Sequence, residues 1–444
     1  MRRFFVFLIL VSYFSLRAQR SNFNTTLFLQ EDKQAVLPLL VKSSNPHLKT
    51  LQASYNFTWH AASGAIHRIS CSVLNLARLA EDGHIHYAEY KNHAPALLND
   101  TMLRRNRILP VHTGASPLSR AYTGKGVVFG MIDSGLDFNH PDFKDTAGKS
   151  RLLFLWDQTV PSAGNPPPAF NYGREWTAAD MDANLCTHSD VAFYGHGTHV
   201  AGIAAGNGLA TGRHRGVAPD ANIIAVALNF NSSGPTISDG VKYIFDKAQQ
   251  LGQACVINIS LGDYYGSHDG TDLETQLIEN ELLNFSGRAV IGAAGNAGSI
   301  RYHTKTQVQT GDTLFTWLRN GSSQMYHWLY GDTTQIQNLK FSIGANRSNY
   351  SNLERTAFQS YTYALNTIRT DTLKNNGNRI ALVRTSGAIN PSGVYELAVQ
   401  IFGDTSNLLW RIETTGQGLH HAWNFSFVSA NLPSPQQHPF MSRY

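Results

Sequence analysis

Tyr194-Gly195-His196-Gly197-Thr198-His199-Val200-Ala201-Gly202 is the stretch on which the reading of this chain turns. A histidine stands between two glycines, and the small residues Ile203, Ala204, Ala205 and Gly206 follow. Gly195 and Gly197 permit a tight backbone, because glycine carries no Cβ. The Ala/Gly run predicts a helix thin enough to lie buried against a sheet. A histidine opening such a helix is held by backbone, which suits a general base that must meet its partners at hydrogen-bond distance. Taken alone, the His-x-x-His spacing also fits two core histidines, or two metal ligands on one helix face.

The neighbouring stretches narrow the choice. Upstream, residues 124–136 read as an apolar strand ending in Asp133-Ser134-Gly135. An acid at the C-terminal end of a buried strand sits where α/β folds place their chemistry. Asp137, Asp142 and Asp145 close no strand, and the competing reading of Asp133 is a turn former. Downstream, residues 254–262 form a second buried strand running into Ser260-Leu261-Gly262. Residues 289–298 repeat the design and end in Asn296. A side-chain amide fixed there is a donor for an oxyanion, or else a turn asparagine.

Four stretches, VVFGMIDSGLD, YGHGTHVAGIAAG, VINISLG and AAGNAG, together resemble the subtilisin-like serine proteases, in that family's order. Gly216-Val217-Ala218-Pro219 and the strand after it match a further block. The resemblance covers residues 106–310. It implies that Asp133 orients the histidine and that His196 is the general acid/base, with His199 a packed structural histidine. It implies that Ser260, Leu261 and Gly262 line the substrate cleft and that Asn296 serves the oxyanion hole. The Asp, His, Ser chain order is that of subtilisin itself.

The 444 residues are 42% hydrophobic and 15% charged, enough for a sizeable core and two to three domains. A net charge of +5 without a long basic run gives no case for nucleic acid. Residues 1–18 read as a signal peptide: Arg2 and Arg3, a short apolar core, and Ala18 at the cut. No other run is long enough to span a bilayer. The expectation is export, secreted or to the cell envelope. Three cysteines, Cys71, Cys186 and Cys255, exclude a disulfide framework but leave a Cys186–Cys255 bridge open.

Residues 19–105 form a separate α+β unit, with strands expected at 35–41, 65–74 and 85–90 and a short helix at 72–80. Before a subtilase domain, such a unit looks like the family's inhibitory propeptide, docking on the protease and passing its C-terminal end (91–107) through the cleft. An N-terminal interaction domain is the competing reading. Within 106–310, strands and helices alternate, and residues 239–250 place Val241, Ile244, Phe245 and Ala248 on one helix face. The fold class expected is α/β, a mostly parallel sheet with helices on both faces. No cofactor is assigned. A structural calcium near Asp142, Asp145 and Asp157 is left open, because their spacing fits no EF-hand loop.

Residues 311–444 read as an all-β sandwich, from short alternating segments at 313–317, 325–330, 338–343, 379–384, 394–402 and 408–413. It looks like an insertion between the oxyanion asparagine and the nucleophile. The family's Gly-Thr-Ser-x-Ala-x-Pro nucleophile block is missing from the 444 residues. The nearest text, Thr385-Ser386-Gly387-Ala388-Ile389-Asn390-Pro391, has Arg384 for the glycine and its proline one place late. The expectation is therefore a secreted subtilisin-like endopeptidase precursor, acting on protein or peptide substrates and on its own propeptide as partner, whose serine is not in this chain. The sheet surface at 127–132 and 256–259 is expected to lie bare without the nucleophile's helix. The alternative is a catalytically inactive secreted binding protein using the cleft or the sandwich.

Overall fold

The structure is a computed structural model that describes residues 22–23, 32–90, 96–97, 106–161, 164–212, 214–231, 236–264, 266–283, 285–319, 324–404, 408–424 and 426–433. The expected signal peptide and most of the expected processing segment lie outside these residues.

The central sheet has six strands, in the order Arg288–Gly292, Ala254–Ile259, Val127–Asp133, Asn222–Ala227, Leu152–Asp157 and Arg174–Thr177. The first five run parallel and the last antiparallel. Buried parallel strands read as continuous apolar runs because both faces are covered. Val128 and Ile132 pack with Val241, Ile244 and Phe245 of the helix Thr236–Gln250. Phe129 and Met131 pack on the opposite face with Val200, Ala201 and Ala205 of the helix His196–Ala205.

Cover fails on one side only. Val256 is 41% and Ile291 55% exposed. Val256 pairs with Phe129, and Ile291 with Asn258, so both lie on the face that the His196–Ala205 helix covers. The bare surface expected at residues 127–132 is not found. Helices on both faces bury that strand, and only the two strands nearer the sheet edge are left open.

The N-terminal sheet orders Asn22–Phe23, Tyr87–Glu89, Val36–Lys42, Ile66–Ser72 and Thr58–Ser63. The helix Val73–Glu81 begins where the Ser72 side chain accepts from the Asn75 N–H. Its Leu76 and Leu79 join Leu39, Val41, Ile69 and Cys71 in the core. The strand Thr58–Ser63 has no counterpart among the sequence expectations. It is an edge strand whose Thr-Trp-His-Ala-Ala-Ser text carries no clear alternation.

This unit packs on the central one. Leu40, Ile66 and Tyr87 meet Leu273 and Leu277 of the helix Leu273–Leu283. Glu89 accepts the Leu273 N–H at 2.7 Å. Arg68, 1% exposed, pairs with buried Asp239. Burial pushes the Asp239 carboxyl up to about 6, against the opposing pull of Arg68. Further on, Ala96–Leu97 pairs antiparallel with Leu261–Gly262.

Two antiparallel sheets form the C-terminal part. One orders His303–Val308, Gly418–Trp423, Gln324–Asp332, Val394–Gly403, Asn378–Ile389 and Ile368–Asn375. The other orders Asn352–Arg355, Leu339–Asn346, Leu409–Gly416, Thr313–Arg319 and Phe427–Leu432, with Gln359–Ser360 beside Leu339–Asn346. Leu329, Leu397, Val399 and Ile401 of the first meet Leu318, Phe341, Ile343 and Ile412 of the second in one core.

His327 and His420 are buried among these strands, and desolvation brings each down to about 3. An unfolded chain's histidines take up protons near pH 6.5. Between roughly pH 6.5 and 3 the unfolded state therefore binds more protons, and stability falls as pH falls. Each histidine should contribute on the order of 1 kcal/mol per pH unit. The urea midpoint should drop from pH 7 to pH 5, and His327→Leu should flatten that slope. A midpoint independent of pH over this window would contradict the assignment.

Candidate active site

Asp133 is the last residue of the strand Val127–Asp133 and wholly buried. His196 is the first residue of its helix. Gly195, at φ +70°, turns the chain into that helix, a conformation glycine adopts without strain. Gly197 lets the helix close on the strand: a Cβ there would stand 2.0 Å from the Gly135 carbonyl oxygen. These two features bring His196 Nδ1 to 2.7 Å from Asp133 Oδ1.

The carboxylate can only accept, so Nδ1 carries the proton and Nε2 is left with its lone pair. Nε2 is buried and has no hydrogen-bond partner among the described residues. Burial pushes the Asp133 carboxyl above the ordinary carboxylate range, opposed by the bonds from His196 and Ser134. An imidazole held in this way can take a proton at Nε2 while the carboxylate stabilises the resulting cation.

The remaining expected site residues are less tightly gathered. Ser260 follows the strand Ala254–Ile259, and its hydroxyl accepts from the Asn258 amide at 2.9 Å. Leu261 is buried and Gly262 half-buried in the short strand that pairs with Ala96–Leu97. Asn296 lies exposed on the loop beyond Arg288–Gly292, and its backbone N–H donates to the Tyr264 hydroxyl at 3.1 Å. His199 is exposed rather than packed. It lines a cavity of about 1060 Å³ with Gly202, Ile203 and the segment Arg107–Thr113. The reason is helical periodicity: Val200 and Ala201 face the sheet, and position 199 turns outward.

Ser386 sits wholly buried in mid-strand, paired with Ile368 and Ala398. Among the described residues its hydroxyl has no hydrogen-bond partner, so it does not meet His196. Asp142, Asp145 and Asp157 are not brought together. Asp142 accepts from Ala210 N, Asp145 from Ala147 N and Lys149 N, and Asp157 from His188 and Thr159. Among the described residues no group of three or more His, Cys, Asp or Glu is placed to hold a metal ion. Cys186 and Cys255 are free, buried thiols, so the bridge left open by the sequence is not formed.

Sequence reasoning passed over Ser134, His188 and Asp190, which pack around the Asp133 strand end. The only textual signal was an aspartate six residues before His196.

Residues 124–388 match the subtilase family, well over half of the chain. The chain belongs to the subtilase family. It is similar to the PI-type proteinase of Lactococcus lactis subsp. cremoris, 31% identical over 184 residues, which is 40% of this chain and 10% of that protein. A subtilisin of Bacillus sp. (strain TA39) is 31% identical over 189 residues, 41% of this chain and 37% of that protein. Thermitase of Thermoactinomyces vulgaris is 31% identical over 183 residues, 40% of this chain and 50% of that protein. The chain thus spans about a tenth to a half of the length of these relatives. The solved Clostridium perfringens CspB protease shares the fold, with TM-score 0.55 and 20% identity over 71% of this chain and 66% of that one.

In this subtilase, Gly197→Ala should force the helix off the Asp133 strand end, because the atom in the way is backbone and cannot swing aside. Overpacking of this kind costs ~1–3 kcal/mol or more. A urea titration should show the loss, and NMR should show the Asp133-bonded Nδ1–H of His196 weakened. A variant as stable as the parent, with that proton unchanged, would contradict the close approach.

Proposed function

We propose that this chain belongs to an exported subtilisin-like serine endopeptidase precursor, in which Asp133 and His196 are two members of the triad. The single observation that carries the reading is the bare Nε2 of His196, buried and unpartnered while Nδ1 is tied to Asp133. In such an enzyme Nε2 takes the proton of a serine hydroxyl as the serine attacks the scissile carbonyl. Asn296 then donates to the oxyanion, and Ser260, Leu261 and Gly262 line the cleft that receives the peptide. The acylated serine is released by water, with His196 again moving the proton.

The serine belongs to a segment outside these 444 residues. Two observations support this. No Gly-Thr-Ser-x-Ala-x-Pro block occurs in the chain, and the face of the sheet beside the His196 helix is uncovered at Val256 and Ile291. The protein isolated from its source should react with a fluorophosphonate at a serine outside residues 1–444 and hydrolyse peptides. Residues 19–444 expressed alone should take no label. Labelling at Ser386, abolished in Ser386→Ala, would overturn the assignment. A native protein that takes no label would leave the cleft as a binding groove, the alternative reading.

The N-terminal unit acts as the propeptide. Its Ala96–Leu97 segment occupies the open edge of Leu261–Gly262, where an extended substrate would add as a strand. The unit is anchored by the buried Arg68–Asp239 pair. Removing one partner of a buried pair leaves an uncompensated charge, at a cost of ~3–5 kcal/mol. Arg68→Met should therefore make residues 32–90 far more sensitive to limited proteolysis than the central sheet. Equal sensitivity in variant and parent would contradict the anchoring role.

A further inference from the structure

Asp190 takes no part in the chemistry above, yet its side chain is almost wholly buried beside it, 4% exposed. One carboxylate oxygen accepts the Ser134 hydroxyl at 2.5 Å. The other accepts the Thr198 N–H at 2.9 Å and the Thr198 hydroxyl at 2.7 Å. Thr198 lies in the first turn of the His196 helix, whose own N-cap, Gly195, has no side chain to offer. Ser134 directly follows Asp133 and accepts the Gly197 N–H at 2.9 Å. Asp190 thus holds the strand that carries the acid and the helix that carries the base.

Its second effect is on the proton. Ser134 has one hydroxyl hydrogen and two carboxylates in reach, Asp190 at 2.5 Å and Asp133 at 3.2 Å. The shorter, charge-assisted bond takes the hydrogen. Among the described residues, Asp133 keeps the Ser134 N–H at 2.7 Å and His196, while its Oδ2 has no partner. Its negative charge is therefore spent on the imidazole and not on a hydroxyl.

We infer that Asp190 is a positioning residue of the proteolytic site, fixing the Asp133–His196 pair by holding Ser134 on the strand and Thr198 on the helix while drawing the Ser134 hydroxyl away from Asp133. The inference rests on the reading of His196 as the general base. Without Asp190, the strand end and the helix start lose the acceptor they share. The other titratable groups around the pair are the Asp157–His188 pair packed against Gly135, Asp137, whose N–H bonds Thr198 Oγ1, and exposed His199. The bonds of the Ser134 hydroxyl run to Asp190, to Asp133 and from the Gly197 N–H.

The test reads the His196–Asp133 hydrogen bond and not turnover, so it does not depend on the serine. In residues 19–444 labelled on histidine, the Asp133-bonded Nδ1–H of His196 is followed by NMR, with His196→Gln to assign it. Asp190→Asn should weaken that signal and speed the proton's exchange with water. Thr198→Ala removes the hydroxyl's bonds to Asp190 and from the Asp137 N–H but keeps the Ser134–Asp190 bond, and should lower stability while leaving the signal in place. An unchanged signal in Asp190→Asn, or equal losses in the two variants, would reduce Asp190 to a helix cap and overturn the inference. If Asp190→Asn does not fold, Ser134→Ala cuts the same link and should weaken the signal likewise, and an unchanged signal there would overturn the inference.

Discussion

The structure depends on one hydrogen bond, from the His196 imidazole to the Asp133 carboxylate. It joins a strand end to a helix start 63 residues apart in sequence. Neither group can be placed by its own rotamer alone. Asp133 is set by the sheet, through the register of Val127–Asp133 against Asn222–Ala227 and Ala254–Ile259. His196 is set by the approach of its helix to Gly135, which Gly197 permits. A displacement of about 1 Å in such a pair can cost ~10²-fold in rate. The glycines, the Ser134–Asp190 bond and the packing of Val200 and Ala201 on the sheet therefore serve one geometric end.

All three parts of the chain meet around Leu261–Gly262. Leu261–Gly262 continues the strand Ala254–Ile259 and pairs with the N-terminal segment Ala96–Leu97. Tyr264, next along, accepts from Asn296 N and packs its ring against Tyr302 at 4.9 Å. Trp423 of the sandwich lies 5.5 Å from Tyr302 and stacks on His268 at 3.6 Å. Aromatic contacts of this kind add ~0.5–1.5 kcal/mol each beyond area burial. The C-terminal sheets are thus packed against the loop that touches Asn296.

Much of this was legible in the text of the chain. The strand ending in Asp133, the helix opening on His196 and the apolar face of Thr236–Gln250 follow from local periodicity, and Val241, Ile244, Phe245 and Ala248 are all buried. Periodicity says which face of a helix is apolar, and so finds elements. It does not report which elements adjoin. The order of the six central strands, the Arg68–Asp239 pair and the Ser134–Asp190 bond are contacts between distant segments. His199 was misread for a related reason. The family resemblance implies a packed role, but its angle around the helix turns it away from the sheet. Asp190 was invisible because a buried carboxylate and a loop aspartate look alike until the partners are known.

The uncovered surface has a definite shape. Val256 and Ile291 lie on adjacent strands, on the same sheet face as the His196–Ala205 helix. Adjacent strands stand about 4.8 Å apart, so two of them leave a strip about 10 Å wide. That is the diameter of one α-helix with its side chains. Parallel sheets are covered on both faces, and exposed apolar area costs roughly 25 cal/mol per Å². A single helix laid in this strip would bury both residues and run beside the His196 helix. Among the described residues, the uncovered strip and the unpartnered Nε2 of His196 thus belong to one face of the sheet, the face that the His196–Ala205 helix covers.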